Sequence, residues 1–323
     1  MKLGILSTAR INRAVLTGAR LSDRVEVVAV ASREAARAVA YAREHGIPRG
    51  YGSYEALLSD DGVEAVYISL PNSLHVPWSI RALEAGKHVL CEKPLDRRPD
   101  EVERAFDAAD RAGRILMEAF MYRHHPQTKR LAELVAGGAI GELRLVRSCF
   151  SFTVADEANV RLSAELDGGS LMDVGCYCVS GTRLLAGEPE SVTAHQVVGP
   201  TGVDLRFVAT MGFAGGALAH FDSGLDLPSR SELEAIGSEG SIRVADPWLI
   251  RSAGLELRRG DHLEAIQVEN PNRYQLELEN LADAIRGEAE PLLGREDAVG
   301  QARAIDALYR AATGGDGVEL TGA

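Results

Sequence analysis

The chain reads as an α/β protein: a doubly wound parallel sheet towards its N-terminal end, then an α+β domain on a large, mainly antiparallel, open-faced sheet. Three observations predict this. Over the first 120 residues, short apolar runs alternate with helical patterns at intervals of about 30 residues, the mark of parallel strand–helix–strand units. Beyond residue 120 the pattern changes to long alternating strands separated by Gly-rich turns, which suits an antiparallel sheet covered on one face. The length, 323 residues, fits two domains. These are placed at 1–120 and 121–323.

The apolar runs at 3–6, 25–31, 65–70, 88–91 and 115–117 read as strands buried on both faces. The segments between them, 11–19, 34–45, 76–85 and 100–112, are rich in Ala, Leu, Arg and Glu and read as helices. A helix over 126–135 ends at Gly137-Gly138, and a long strand follows over 143–154. Val203, Leu205, Phe207, Ala209 and Met211 alternate as a strand does, and further strands are expected at 190–198, 217–221, 232–236, 241–245 and 255–258. Tyr274, Leu278, Leu281 and Ile285 share one helical face, and a last helix covers 297–312.

Composition narrows the function classes. With 35 Lys and Arg against 47 Asp and Glu, the net charge is −12, which disfavours a nucleic-acid partner. No apolar run reaches the roughly 18–20 residues of a membrane span, and the start lacks the shape of a signal peptide. Cys91, Cys149, Cys176 and Cys178 lie in ordinary apolar segments without CxxC or zinc spacing. Reduced thiols and a cytoplasmic location are the expectation. The 33 glycines exceed the usual share of about 7% and cluster beyond residue 135.

A dinucleotide site expects G-x-G-x-x-G between the first strand and the first helix. Here that turn is Ser7-Thr8-Ala9-Arg10-Ile11-Asn12, so Ser7, Ala9 and Asn12 stand at the three glycine positions. The physical need is a tight turn, small side chains and N–H groups at a helix N-terminus for a pyrophosphate. Ser7, Thr8, Ala9, Arg10 and Ile11 meet most of it and are the candidate contacts; a plain strand–helix turn is the competing reading. An NAD site usually sets Asp or Glu at the end of the second strand. This chain has Ala31-Ser32-Arg33, with Arg37 one turn on. Arg33 and Arg37 suit a 2′-phosphate, Ser32 adds a hydroxyl, and the helix start favours an anion. NADP is therefore favoured over NAD, with Glu34 as the acidic alternative.

Cys91-Glu92-Lys93-Pro94-Leu95 sets Lys93 at the C-terminal end of a strand, where open α/β sheets take their ligands. Pro94 restricts Lys93 to extended backbone. Leu70-Pro71-Asn72-Ser73-Leu74-His75 and Glu118-Ala119-Phe120-Met121-Tyr122-Arg123 with Pro126 complete the first half, and Gly168-Gly169-Ser170-Leu171-Met172-Asp173-Val174-Gly175-Cys176-Tyr177 forms a second signature. On these motifs, and along essentially its whole length, the chain resembles the Gfo/Idh/MocA (glucose–fructose oxidoreductase/inositol dehydrogenase) family of NAD(P)-dependent oxidoreductases. It looks most like the branch holding D-xylose dehydrogenase, dihydrodiol dehydrogenase and 1,5-anhydrofructose reductase. Two departures stand out: the Ser/Ala-substituted Gly-rich turn, and Tyr177 where inositol-dehydrogenase-like members carry His.

The resemblance implies a Rossmann domain, then a substrate-binding and oligomerisation domain whose sheet mediates a homodimer or homotetramer. Oxidising a carbinol needs a hydride acceptor and a base. Tyr177 is the candidate acid/base with Lys93 as its electrostatic partner, or Lys93 relays the proton itself. Moving a Tyr from near pH 10 to about 8 takes roughly 2.7 kcal/mol of anion stabilisation, the order that one ammonium supplies in a partly dry cleft. Asp173, four residues before Tyr177, shares its helical face and suits Lys93 or a substrate hydroxyl, while Gly175 keeps the backbone slim beside the ligand. By resemblance, Leu70, Pro71, Asn72 and His75 line the cofactor crevice with Glu92 and Lys93, and Arg161 stands near cofactor or substrate. Tyr122 and Arg123 are read as junction packing or as site residues, and Trp78 and Trp248 as core. His124-His125 with Glu118 find no further ligand at metal spacing, so no metal is expected. The reading is an NADP-dependent, aldose-1-dehydrogenase-like oxidoreductase acting on a sugar or related polyol. Its alternatives are an idle NADP-binding sensor and an NAD-linked cyclitol or nucleotide-sugar dehydrogenase of the same family.

Overall fold

The computed structural model describes residues 1–314 and 318–320 and forms two units. In the first, the chain runs β1 (Lys2–Leu6), α1 (Asn12–Arg20), β2 (Glu26–Ala31), α2 (Ala35–His45), β3 (Arg49–Tyr51), α3 (Tyr54–Leu58), β4 (Ala65–Ile68), α4 (His75–Glu84), β5 (His88–Glu92), α5 (Pro99–Ala112) and β6 (Leu116–Ala119). The strands pair in the order β3-β2-β1-β4-β5-β6, all parallel. Leu3, Ile5, Ala29, Val30 and all of β4 are fully buried, which explains the near-continuous apolar runs. The strand order reverses between β1 and β4, and ligands of such sheets bind beyond the C-terminal ends at that point. Strand β3 escapes a sequence reading because it is an edge strand of three half-buried residues, Arg-Gly-Tyr.

The second unit starts with α6 (Pro126–Ala136) and β7 (Leu143–Thr153), then α7 (Cys176–Ala186), β8 (Pro189–Val198), β9 (Asp204–Phe213), β10 (Leu218–Gly224), β11 (Asp226–Gly237), β12 (Ser241–Val244), β13 (Leu255–Arg259) and β14 (His262–Ile266). With β15 (Val318–Glu319) these strands form one sheet among the described residues, ordered β14-β13-β12-β11-β7-β10-β9-β8-β15. Its pairs are antiparallel except β7 with β10. Helix α7 covers one face, where Phe207, Ala209, Met211, Ala219 and Phe221 are buried. The other face leaves Val208 and Leu218 more than half exposed, as an open-faced sheet requires. Trp248 is fully buried and donates from Nε1 to the Cys149 carbonyl at 3.0 Å.

The chain then returns. Helix α8 (Arg273–Ile285) lies against α1, and a Cβ on Gly18 would sit 2.6 Å from the Gln275 amide nitrogen, so only glycine permits that approach. Arg24 Nη1 donates to both carboxylate oxygens of Asp283 of α8, at 2.8 and 3.0 Å. Pro271–Val299, assigned to 121–323 by the sequence reading, therefore belongs to the first unit with Met1–His124. The second unit holds His125–Asn270 and the described residues of Gly300–Ala323. The division falls inside α9 (Arg295–Gly314). A single boundary near residue 120 misses this return because periodicity shows that a helix is amphipathic, not which sheet it covers.

Candidate active site

On the first unit the turn after β1 stands where a fingerprint turn would, built from other residues. Ser7 has φ +128°, a conformation that glycine adopts freely and other residues at a cost of about 1–3 kcal/mol. Its hydroxyl offsets part of that strain: Oγ accepts from the Ala9 amide at 3.1 Å and lies 2.7 Å from Ser69 Oγ. Asn12, at the third glycine position, is fully buried. It accepts from Ser69 Oγ at 2.6 Å and donates from Nδ2 to the Ser7 carbonyl at 3.0 Å. A polar knot thus replaces close glycine packing, and Thr8, Ala9, Arg10 and Ile11 are left between β1 and the start of α1.

At the end of β2, Ser32 is buried, with its amide on the Tyr51 carbonyl and its hydroxyl accepting from the Glu34 amide. Arg33, Glu34 and Arg37 are exposed at the head of α2. Burial raises the pKa of the Tyr54 phenol, and the charge of the two arginines partly offsets it. The end of β2 is therefore basic on one side and carries a buried hydroxyl.

Leu70, Pro71 and Asn72 form the turn between β4 and α4, with Asn72–Leu74 as one 3-10 turn. His75 departs from its expected role. It is 1% exposed, and its ring nitrogens lie 2.8 Å from the Pro94 and Leu70 carbonyls. Buried between the Leu70 and Pro94 loops, a neutral ring donates to one of these carbonyls and a protonated ring to both, and it does not line an open crevice. Burial, with the Lys93 charge, lowers its pKa. The folded state thus favours the neutral ring, while the unfolded chain takes up a proton near pH 6.5. The stability this ring contributes is complete above that pH and is lost as pH falls through it. The unfolding midpoint should therefore fall more steeply from pH 6.5 to 5 in the wild type than in His75→Gln. Parallel melting profiles would refute this.

Lys93 follows β5 at the same edge of the sheet, half-buried, with its peptide bond to Pro94 cis. Glu92 accepts from the Tyr67 hydroxyl and, at 3.4 Å, from the Lys93 amide. Glu118 of β6 accepts from the Leu95 amide at 2.7 Å, holding the far side of that turn. Glu277 of α8, not anticipated from sequence, is buried with Oε1 unpartnered. Burial first, and Glu92 next, push its carboxyl well above the usual range.

The second unit carries the other signature. Leu171–Gly175 is a π-helical turn running into α7, a distortion common at functional sites. Asp173 stands in that turn, ion-paired to Arg161 Nε at 2.7 Å, so the structure joins these two predicted residues. Tyr177 lies in the first turn of α7, 6% exposed, with ring centroids 5.5 Å from Phe150 and 6.0 Å from Trp248. Gly175 is slim for a different reason than the ligand: a Cβ there would meet Leu171 and Ser223 Oγ at 2.9 Å. Tyr122 is buried against Phe120, while Arg123 pairs with Asp297 at 3.3 Å. Among the described residues no three His, Cys, Asp or Glu side chains gather as metal ligands, and no helix is long and apolar enough to cross a membrane.

Comparison with known proteins agrees with both halves. The model of the oxidoreductase family with an NAD-binding Rossmann fold matches residues 1–120, and that of the GFO/IDH/MocA C-terminal domain matches 128–243. The chain belongs to the GFO/IDH/MocA family. At that level it is an NAD(P)-dependent oxidoreductase. Within the family it stands close to the xylose/aldose dehydrogenase and dihydrodiol/3-ketoreductase branch. It is 41% identical to D-xylose 1-dehydrogenase (NADP(+)) 2 of Haloferax volcanii, over 99% of this chain and 100% of that protein. It is 34% identical to trans-1,2-dihydrobenzene-1,2-diol dehydrogenase of Danio rerio, over 77% and 75%. Among solved structures, a 3-ketoreductase from Actinomadura kijaniata in complex with NADP and TDP-benzene superposes with TM-score 0.90 at 32% identity, covering 96% and 97%. The aldose-aldose oxidoreductase from Caulobacter crescentus superposes with TM-score 0.92 at 29% identity, covering 99% of each chain.

Proposed function

We propose that the chain is an NADP-dependent oxidoreductase that interconverts a carbinol and a carbonyl carbon of an aldose or related polyol. The observation that carries this reading is the full-length, 41% likeness to a D-xylose 1-dehydrogenase (NADP(+)). The basic head of α2 supports the 2′-phosphorylated cofactor. The nicotinamide supplies the hydride acceptor or donor when bound.

The chain's own residues do the rest. Ser7 to Ile11, Leu70, Pro71, Asn72 and Glu92 hold the cofactor, and Ser32, Arg33 and Arg37 hold its 2′-phosphate. His75 sets the Leu70 and Pro94 loops. Tyr177 takes the substrate's hydroxyl proton in oxidation and returns it in reduction. A phenolate as enclosed as Tyr177, among Phe150 and Trp248, needs a cation, and that role falls to Lys93. Asp173, fixed by Arg161, orients a substrate hydroxyl. The exposed sheet face with Val208 and Leu218 is the surface a second copy covers, and a monomeric mass by light scattering would remove that assignment.

The test is the formation of NADPH, followed at 340 nm, with a panel of aldoses and polyols. Turnover of at least one aldose with NADP is expected. Tight NADP binding without turnover on any member would support an idle sensor instead.

A further inference from the structure

We infer that Asp204 is a positioning residue for the reaction: its buried carboxylate, re-aimed by a bulge in β9, anchors the turn that carries Asp173 and Tyr177. This rests on the roles proposed above for those two residues. Strand alternation alone would send Asp204 to the open face with Arg206. The pairing of β9 with β8 steps from Val197–Arg206 to Val198–Asp204, so Leu205 is an extra residue in β9. Such a bulge turns the next side chain over. Asp204 is 3% exposed and shares the covered face with Phe207, while Arg206 stays exposed.

There the carboxylate meets the start of the second signature. Oδ2 accepts from the Leu171 amide and from Ser170 Oγ, both at 2.7 Å. Oδ1 accepts from the Tyr309 hydroxyl of α9 at 2.9 Å. Ser170 Oγ also lies 3.1 Å from Ser223 Oγ of β10. The second glycine of the signature has its reason here. Gly169 has φ +122°, and a Cβ on it would fall 2.2 Å from Asp204 Oδ1. The Gly169 amide bonds the Arg161 carbonyl at 2.9 Å, and the Asp173 amide bonds the Gly169 carbonyl at 3.0 Å. The carboxylate therefore ties β9 and α9, and through Ser170 also β10, to the turn that fixes Asp173 and its partner Arg161. Burial pushes the Asp204 carboxyl above its ordinary range, and its donors pull it back, so the anchor needs an acceptor of this shape more than a charge. Asn supplies that: Oδ1 for Ser170 and Leu171, Nδ2 for the Tyr309 oxygen.

The experiment combines steady-state kinetics with peptide-resolved amide hydrogen exchange on the full chain, for wild type, Asp204→Ala, Asp204→Asn and Tyr309→Phe. Asp204→Ala is expected to lower kcat by about 100-fold, the scale of a roughly 1 Å misplacement. KM for NADP should hold, exchange over 169–177 should quicken at least about tenfold, and Asp204→Asn should recover most of both losses. If Asp204→Ala fails to fold, Tyr309→Phe decides, with a smaller fall in kcat and faster exchange in the same segment. Unchanged exchange there overturns the anchor, whatever the substrate proves to be. Faster exchange with unchanged kcat overturns its role in positioning. The exchange arm does not depend on turnover, so a failure of the proposed activity and a failure of the anchor are told apart.

Discussion

Tyr177→Phe should lower turnover with saturating NADP and aldose by about 10²–10⁴-fold, the range for removing a general acid–base group. The hydroxyl is the only atom removed, and the ring keeps its contacts with Phe150 and Trp248, so the fold should hold. NADPH affinity, read by fluorescence titration, should stay near the wild-type value. Lys93→Met should cost a comparable factor, because it withdraws the cation that an enclosed phenolate requires. The two losses should not multiply in the double variant, since residues that act as one unit are strongly non-additive. Near-normal turnover in both single variants would end the assignment. A loss confined to Lys93→Met would leave Lys93 as the direct proton carrier.

Arg33→Ala should weaken NADP binding by about 10–100-fold, from the roughly 1.5–3 kcal/mol of a hydrogen bond to a charged group, and leave NAD binding nearly unchanged. Arg33 and Arg37 are exposed at the head of α2, and the strand before them ends in Ala31-Ser32 without a carboxylate. A 2′-phosphate there meets two arginines against the one carboxylate of Glu34, and a free 2′-hydroxyl meets no acceptor at the strand end itself. Because the arginines are solvated, added salt should narrow the NADP preference. A wild-type preference for NAD would mean that Glu34 takes the ribose and the basic pair is surface charge. The selectivity is measured as the ratio of kcat/KM for the two cofactors.

The parallel sheet was legible in the sequence because its strands are buried on both faces. Runs such as 65–68 have no polar residue to confuse the period, and the Lys93 motif sits where the edge of such a sheet must be. The elements that escaped lack that contrast. Strand β3 is three half-buried residues, and in β14 His262, Leu263, Glu264 and Ala265 are all exposed. Among the site residues, sequence gives type but not direction. His75 looks like a crevice residue until its ring is seen to face two carbonyls of its own chain. Asp204 looks like a solvent-facing strand residue because nothing in Val203-Asp204-Leu205 announces a bulge. Glu277 reads as one more charge on an amphipathic helix. Each of these is decided by contacts between separate loops or elements or by one extra residue in a strand, and periodicity records neither.

The return of the chain at Pro271 has a consequence for biosynthesis. The α1 face around Gly18 waits for Tyr274 and Gln275 to cover it, and Asp204 waits for the Tyr309 hydroxyl. Domains fold as units during synthesis, N-terminal ones first, yet here each unit lacks a piece made only after residue 270. A ribosome stalled at residue 270 would hold a complete parallel sheet and most of the second one, with neither able to close. Helices α8 and α9 act as late keystones for both, so a chain cut before residue 271 should be damaged in the parallel-sheet unit built mostly from residues 1–124.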